Sequence, residues 1–130
     1  MASNKTILVV DDEGPIRRII ELKLKNRGYN VITAKDGEEG LDLLRRQKPD
    51  AVVTDIMMPR LDGKSLCEHA EPLKQAGSFL TIVVTCRISP EERSWVARMT
   101  DTVLMEKPFS PSRLLECLEE YFEKDGSCRT

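Results

Sequence analysis

Closely spaced pairs of histidines or of cysteines, the usual protein ligands of zinc, are missing from this sequence. There is one histidine, His69, and none of the four cysteines forms a Cys-x-x-Cys pair. Because structural zinc sites need closely spaced cysteine and histidine ligands, the sequence predicts no zinc site. The cysteines are expected to be reduced thiols, as is typical of a cytosolic protein.

Long apolar segments and a large excess of one charge are also missing. No run approaches the roughly 18 apolar residues of a membrane-spanning helix, and the first six residues lead into an apolar strand without a signal-peptide pattern. The net charge of −2 favours neither nucleic acid nor an anionic membrane as a partner. We therefore expect a cytoplasmic location and no direct binding to either.

The sequence does contain a regular alternation of short apolar runs and amphipathic segments over 130 residues, the usual length of one domain. Strands are predicted at 7–10, 29–34, 51–54, 79–84 and 102–105. Helices are predicted at 14–27, 36–48 and 63–75, after a capping box that begins at Ser89, and after Ser110. This alternation predicts an α/β fold with helices on both faces of a parallel sheet.

Polar side chains follow four of the predicted strands. They are Asp11 and Asp12 after the first strand, Asp55 after the third, Thr85 after the fourth and Lys107 after the fifth. Ligands of open parallel sheets bind outside the carboxyl ends of the strands, so these groups are expected to meet at one rim.

The charges of this rim point to a divalent cation. Two carboxylates about 4 Å apart repel by roughly 4 kcal/mol at an effective dielectric of 20, and Asp11, Asp12 and Asp55 together carry three negative charges. Lys107 and one divalent ion would balance them. Oxygen ligands with room for water suit Mg²⁺.

A carboxylate beside Mg²⁺, an ammonium and a hydroxyl is equipped to accept a phosphoryl group, because positioning and electrostatics dominate phosphoryl transfer. Asp55 stands alone at the end of its strand, so it is the better nucleophile. Asp11 and Asp12 are better placed to hold the metal.

Four segments of the chain resemble the signature segments of a response-regulator receiver domain. They are Val-Val-Asp-Asp-Glu, Val-Val-Thr-Asp-Ile-Met-Met-Pro-Arg-Leu-Asp-Gly, Ile-Val-Val-Thr and Lys-Pro-Phe-Ser. The resemblance implies a single receiver domain over 1–130, with a core of about 5–123 and a polar tail at 124–130. It also implies a flavodoxin-like, doubly wound sheet of five parallel strands in the order 2-1-3-4-5, with five helices on two faces.

The resemblance further implies a phosphorylation switch of two-component signalling. Asp55 would take a phosphoryl group from a histidine kinase or a phosphotransfer protein, while Thr85 and Lys107 would contact phosphoryl oxygens. Such a domain is not a conventional enzyme, although it catalyses its own phosphorylation and slow dephosphorylation. The fourth helix, fifth strand and fifth helix would face a downstream effector.

Metal ligands are implied in the same way. Asp12 and Asp55 would bind Mg²⁺ directly, Asp11 mainly through water, and Met57 through its backbone carbonyl. The Lys107–Pro108 bond is expected to be cis.

The sequence departs from the family at Leu104, where an aromatic ring usually couples the threonine to the output face. Leu104 supports one alternative, a binding module that does not switch by phosphorylation. Two others stay open: a Mg²⁺-dependent phosphatase, and the receiver part of a longer regulator or hybrid kinase. A phosphatase would need a second acid beside Asp55, and Ile56 and Met57 provide none.

Two further residues each leave two interpretations open. Trp95 is expected either to pack inward or to anchor a partner. Arg87 is expected either to be a solvated charge or to control the access of water to the site.

Overall fold

Five strands alternate with helices along the chain. The structure, a computed structural model, describes residues 5–58, 60–107 and 110–129, with side chains up to residue 123. The strands are β1 (Thr6–Val10), β2 (Asn30–Ala34), β3 (Ala51–Asp55), β4 (Leu80–Thr85) and β5 (Thr102–Glu106). The helices are α1 (Gly14–Asn26), α2 (Gly37–Gln47), α3 (Gly63–Ala70), a 3-10 helix (Glu71–Gln75), α4 (Pro90–Ala97) and α5 (Pro111–Arg129). Within the described residues, no helix combines the length and the apolar character that a membrane crossing requires.

The strands form one parallel sheet in the order β2-β1-β3-β4-β5, which confirms the predicted order. Alternate strand residues enter opposite layers of the core: Ile7 and Val9 pack with α1 and α5, whereas Leu8 and Val10 pack with α2 and α3. This two-sided burial explains why the central strands read as continuous apolar runs.

Side-chain caps fix where three helices begin. Asp36, Asp62 and Ser89 each accept a hydrogen bond from the backbone N–H three residues later. The predicted capping box at Ser89 is confirmed, because the Glu92 side chain also accepts a hydrogen bond from the Ser89 N–H. Satisfying these free N–H groups stabilises each helix start by about 1 kcal/mol.

The predicted bounds of the third helix were wrong. A single helix was expected over 63–75, but α3 ends at Ala70 and the chain continues as the 3-10 helix. Pro72 explains the change, since proline has no N–H to donate and its ring crowds the carbonyl four residues earlier in an α-helix. At the other end of the chain, α5 continues into the predicted polar tail, to Arg129. The predicted cis bond involves Pro108, which lies outside the described residues.

Trp95 packs inward, so the first of its two predicted alternatives is confirmed. Its exposed fraction is 4%, and it belongs to a core cluster with Ile56, Cys67 and Val83. Leu104 is partly buried against the same cluster. The α4–β5 side of the sheet is therefore closed by aliphatic and indole packing directly beside the end of β3.

Candidate functional site

The carboxyl ends of the strands bring the predicted polar residues to one rim. In the sheet register, Val10 pairs with Thr54, Asp55 with Val84, and Thr85 with Glu106. The residues that end or follow these strands are thus neighbours across the sheet. The N–H of Lys107 donates a 2.7 Å hydrogen bond to the carbonyl of Thr85, which ties the end of β5 to the end of β4.

Asp11, Asp12 and Asp55 form the acidic part of the rim. Each offers a carboxylate oxygen, and these atoms all lie within 4.8 Å of one another. Asp11 and Asp55 are buried while Asp12 is exposed. Burial raises the pKa of the Asp11 carboxyl and the charge of Asp55 raises it further, against the opposing effects of the Glu13 N–H and Lys107. Because two of the three carboxylates are buried, solvent screens the repulsion between them poorly, and a nearby cation would favour their charged forms.

Lys107 supplies the cation of the rim. Its Nζ lies 3.0 Å from Oδ2 of Asp55 and 3.7 Å from Oε1 of Glu13, and its side chain is largely buried. Burial alone would lower the pKa of Lys107, but the hydrogen bond and charge of Asp55, with smaller contributions from Asp11 and Glu13, leave it raised. Lys107 therefore keeps its positive charge while it is hydrogen-bonded to the Asp55 carboxylate.

Gly63 allows α3 to start against the end of β3. A Cβ atom at this position would lie 2.2 Å from the carbonyl oxygen of Asp55 and 2.7 Å from Cα of Ile56. The Gly63 N–H also donates a 2.8 Å hydrogen bond to the Ile56 carbonyl. Only glycine permits this approach, which holds the backbone that carries the Asp55 carboxylate.

The donor set of the rim fits Mg²⁺. Mg²⁺ binds oxygen at about 2.1 Å, so oxygens on opposite sides of the ion are about 4.2 Å apart. A spread of up to 4.8 Å suits direct ligands together with one carboxylate that acts through water. Met57, whose carbonyl was predicted as a ligand, lies two residues after Asp55 and is 77% exposed.

The same family is found by comparison with known proteins. The sequence profile described as "Response regulator receiver domain" matches residues 7–119. The chain belongs to this family. Solved structures agree: a chemotaxis protein CheY4 from Vibrio cholerae has a TM-score of 0.82 at 29% identity, covering 91% of this chain and 98% of that one. A CheY-like receiver domain protein from Methanospirillum hungatei has a TM-score of 0.87 at 29% identity, covering 96% and 98%.

Curated relatives of the receiver domain include longer regulators. The "Probable transcriptional regulator ycf27" of Porphyridium aerugineum is 41% identical over 108 residues, which are 83% of this chain and 44% of the relative. The "Alkaline phosphatase synthesis transcriptional regulatory protein PhoP" of Bacillus subtilis is 39% identical over the same shares. "Response regulator MprA" of Mycolicibacterium vanbaalenii is 43% identical over 84% of this chain and 46% of that protein. The receiver domain therefore spans less than half the length of these relatives.

In the receiver domain, the Thr85 side chain is hydrogen-bonded to the backbone of Arg87. The Thr85 hydroxyl donates to the Arg87 carbonyl at 3.1 Å and accepts from the Arg87 N–H at 3.3 Å. The Arg87 residue is exposed. Thr85 therefore lies at the rim with its hydroxyl turned toward the loop that follows β4.

Two residues of the rim were not predicted, Glu13 and Arg17. Glu13 contacts Lys107, and Nη1 of Arg17 donates a 2.7 Å hydrogen bond to the carbonyl of Asp11. The sequence held a weak signal for both. Glu13 directly follows the aspartate pair, and Arg17 lies one helical turn after Glu13 on a helix that begins at the rim.

Proposed function

We propose that this receiver domain is a phosphorylation-driven switch of two-component signal transduction with Asp55 as the phosphoryl acceptor. The observation that carries the proposal is the ammonium of Lys107 at 3.0 Å from the Asp55 carboxylate, beside two further aspartates. The donor would be a phosphohistidine of a histidine kinase or a phosphotransfer protein. We also propose a cytoplasmic location, where the free thiols of Cys67, Cys86 and Cys117 would stay reduced.

The transfer itself makes one bond and breaks one. A carboxylate oxygen of Asp55 attacks phosphorus, the O–P bond forms as the P–N bond breaks, and the imidazole nitrogen leaves with the electron pair. Lys107 would orient an equatorial oxygen as a point charge. Water attack on the resulting acyl phosphate would return the carboxylate, which is the slow self-dephosphorylation expected of the domain.

The acidic residues would hold Mg²⁺, with Asp12 and Asp55 as direct ligands, Asp11 through water and Met57 through its carbonyl. When bound, the ion would supply two positive charges beside the transferred group, which stabilises the charge on its oxygens. Asp11 would keep the neighbouring backbone in place through its own hydrogen bonds.

Thr85 would carry the signal away from the acceptor. To hydrogen-bond a phosphoryl oxygen, its hydroxyl must give up the Arg87 carbonyl that it now contacts. The loop after β4 is therefore the first segment to rearrange, and α4 follows it directly. We propose that a downstream effector reads this change on the face formed by α4, β5 and α5.

The test is phosphorylation of the purified chain by acetyl phosphate with Mg²⁺. Wild type should gain the mass of one HPO₃ group, and Asp55→Asn should not, because an amide oxygen is a poor nucleophile. Asp42→Asn, which removes an exposed carboxylate paired with Arg46, is the control and should gain the group normally. An undiminished adduct in Asp55→Asn would show that the acceptor is another residue, and no adduct in wild type would favour the binding-module alternative.

A further inference from the structure

The side chain of Arg17 reaches back from the first turn of α1 to the acidic rim. Its Nη1 donates a 2.7 Å hydrogen bond to the backbone carbonyl of Asp11. Arg17 is partly buried. Its backbone N–H donates a hydrogen bond to the Glu13 carbonyl at the start of the helix. Arg17 therefore joins α1 to the residue that begins the aspartate pair.

Asp11 is held at each of its polar groups. Its N–H donates to the Ala34 carbonyl at 3.2 Å, and its Oδ1 accepts from the Glu13 N–H at 2.9 Å. Its carbonyl accepts from Arg17. The first two contacts depend on the backbone of neighbouring residues, whereas the third depends on one guanidinium that a substitution can remove.

The carbonyl of Asp11 belongs to the same planar peptide unit as the N and Cα atoms of Asp12. Fixing that oxygen therefore fixes the plane from which the Asp12 side chain projects. Asp12 is exposed, so packing does little to orient it. A charge-assisted hydrogen bond to the preceding carbonyl is strong enough to restrict this plane.

We propose that Arg17 is a positioning residue of the phosphoryl-acceptor site. By binding the Asp11 carbonyl, it directs the Asp12 carboxylate toward Asp55 and so preforms the Mg²⁺ ligand set. This inference rests on the proposed function, because it assigns a role within the same site.

Charge and positioning predict opposite effects, which makes the inference testable. A guanidinium near the rim repels Mg²⁺, so if Arg17 acted only through its charge, removing it would tighten Mg²⁺ binding. If Arg17 positions Asp12, removing it weakens Mg²⁺ binding. Arg18 is the matched control, since it is the adjacent arginine of α1, carries the same charge and is exposed.

The experiment compares Arg17→Met, Arg17→Lys and Arg18→Met in the full chain, with circular dichroism to verify folding. Calorimetric titration with Mg²⁺ should give a Kd for Arg17→Met about tenfold above that of Arg18→Met, at the lower end of the effect of removing a partner that orients a metal ligand. Arg17→Lys keeps a cationic donor and should recover part of the affinity. It also provides the comparison if Arg17→Met does not fold.

A second measurement needs no metal. The Glu13 amide bonds to the Asp11 carboxylate, so its hydrogen exchange should be faster in Arg17→Met than in Arg18→Met. Equal Mg²⁺ affinities, or a tighter Kd in Arg17→Met, would overturn the inference, as would an unchanged Glu13 amide. Wild-type protein that gains no phosphoryl group would instead refute the proposed function, and the Glu13 amide would still decide whether Arg17 holds the turn.

Discussion

At the scale of single residues, the geometry of the site depends on one lysine and one glycine. Lys107 reaches the Asp55 carboxylate from the end of β5, and Gly63 lets α3 begin against the Asp55 backbone. The first contact places a positive charge beside the Asp55 carboxylate, and the second fixes the strand end that carries this proposed acceptor. Each can be removed by a single substitution that has a control elsewhere in the chain.

Lys107→Ala should leave a folded protein that no longer responds to phosphorylation. Loss of the ammonium removes the charge that orients the phosphoryl group beside Asp55. Hydrogen exchange of 86–92 should then change little when acetyl phosphate and Mg²⁺ are added, whereas Lys23→Ala, an exposed position on α1, should respond as wild type does. A full response in Lys107→Ala, with the adduct verified by mass, would reject this role.

Gly63→Ala should destabilise the fold by about 1–3 kcal/mol or more, because the new methyl group would overlap backbone atoms of Asp55 and Ile56. Gly77→Ala is the matched control, since a Cβ there meets nothing within 4 Å. It should be neutral or slightly stabilising, by about 0.4–1 kcal/mol at most. Urea unfolding of both variants gives the comparison, and equal stabilities would show that the rim adapts to a side chain at position 63.

At the scale of elements, the 3-10 helix holds the turn between α4 and β5. Lys74 is buried, and its Nζ donates to the carbonyls of Thr100 and Asp101 and to the Thr102 hydroxyl, while Glu71 accepts from the Thr100 N–H. Burial lowers the pKa of Lys74, although nearby acidic charges oppose this. The turn is thus fixed at its base, whereas the loop after Thr85 rests on local contacts with Arg87.

This difference predicts where phosphorylation acts. A modification shifts an element only by its differential interaction with the two states, and Leu104 offers packing against the Trp95 cluster but no hydrogen bond. With a phosphoryl mimic and Mg²⁺, hydrogen exchange should therefore change mainly in 86–92. Leu104→Tyr should extend the change into 102–106. Large changes in wild type at 102–106, with none in 86–92, would contradict this prediction.

At the scale of the whole molecule, the parallel sheet gathers like charges at one edge. Asp11, Asp12 and Asp55 lie within a few ångströms of one another, and Lys107 neutralises only part of their charge. We therefore expect repulsion at the rim to destabilise the free domain, and a divalent ion that binds only the folded state to relieve it.

Mg²⁺ should accordingly raise the free energy of unfolding, by about 2.7 kcal/mol at 100 times its Kd. Asp12→Asn should be more stable than wild type without Mg²⁺, because it removes one repelling charge, yet should gain less from the ion. Thermal unfolding with and without Mg²⁺ tests both effects. Equal gains in the two proteins would remove Asp12 from the ligand set.

Much of this organisation was predictable from local sequence. The apolar runs and the capping residues located the strands and helix starts, and the positions of Asp55 and Lys107 after strands identified the rim. These features follow from periodicity and backbone hydrogen bonding, which act over a few residues. The end of α3 could also have been predicted, because Pro72 breaks an α-helix, but the predicted helix extended past it to residue 75.

The tertiary structure alone decided how distant side chains meet. Trp95 in the core and Lys74 on the Thr100–Thr102 turn depend on the packing of elements that are far apart along the chain. A short-range pattern cannot specify such contacts, because amphipathic helices can pack in several orientations until neighbouring side chains fill the space between them. Local sequence therefore predicted the aspartates, the threonine and the lysine of the rim. The contacts of Glu13 and Arg17 there, and the way in which each group is held, came only from the packed structure.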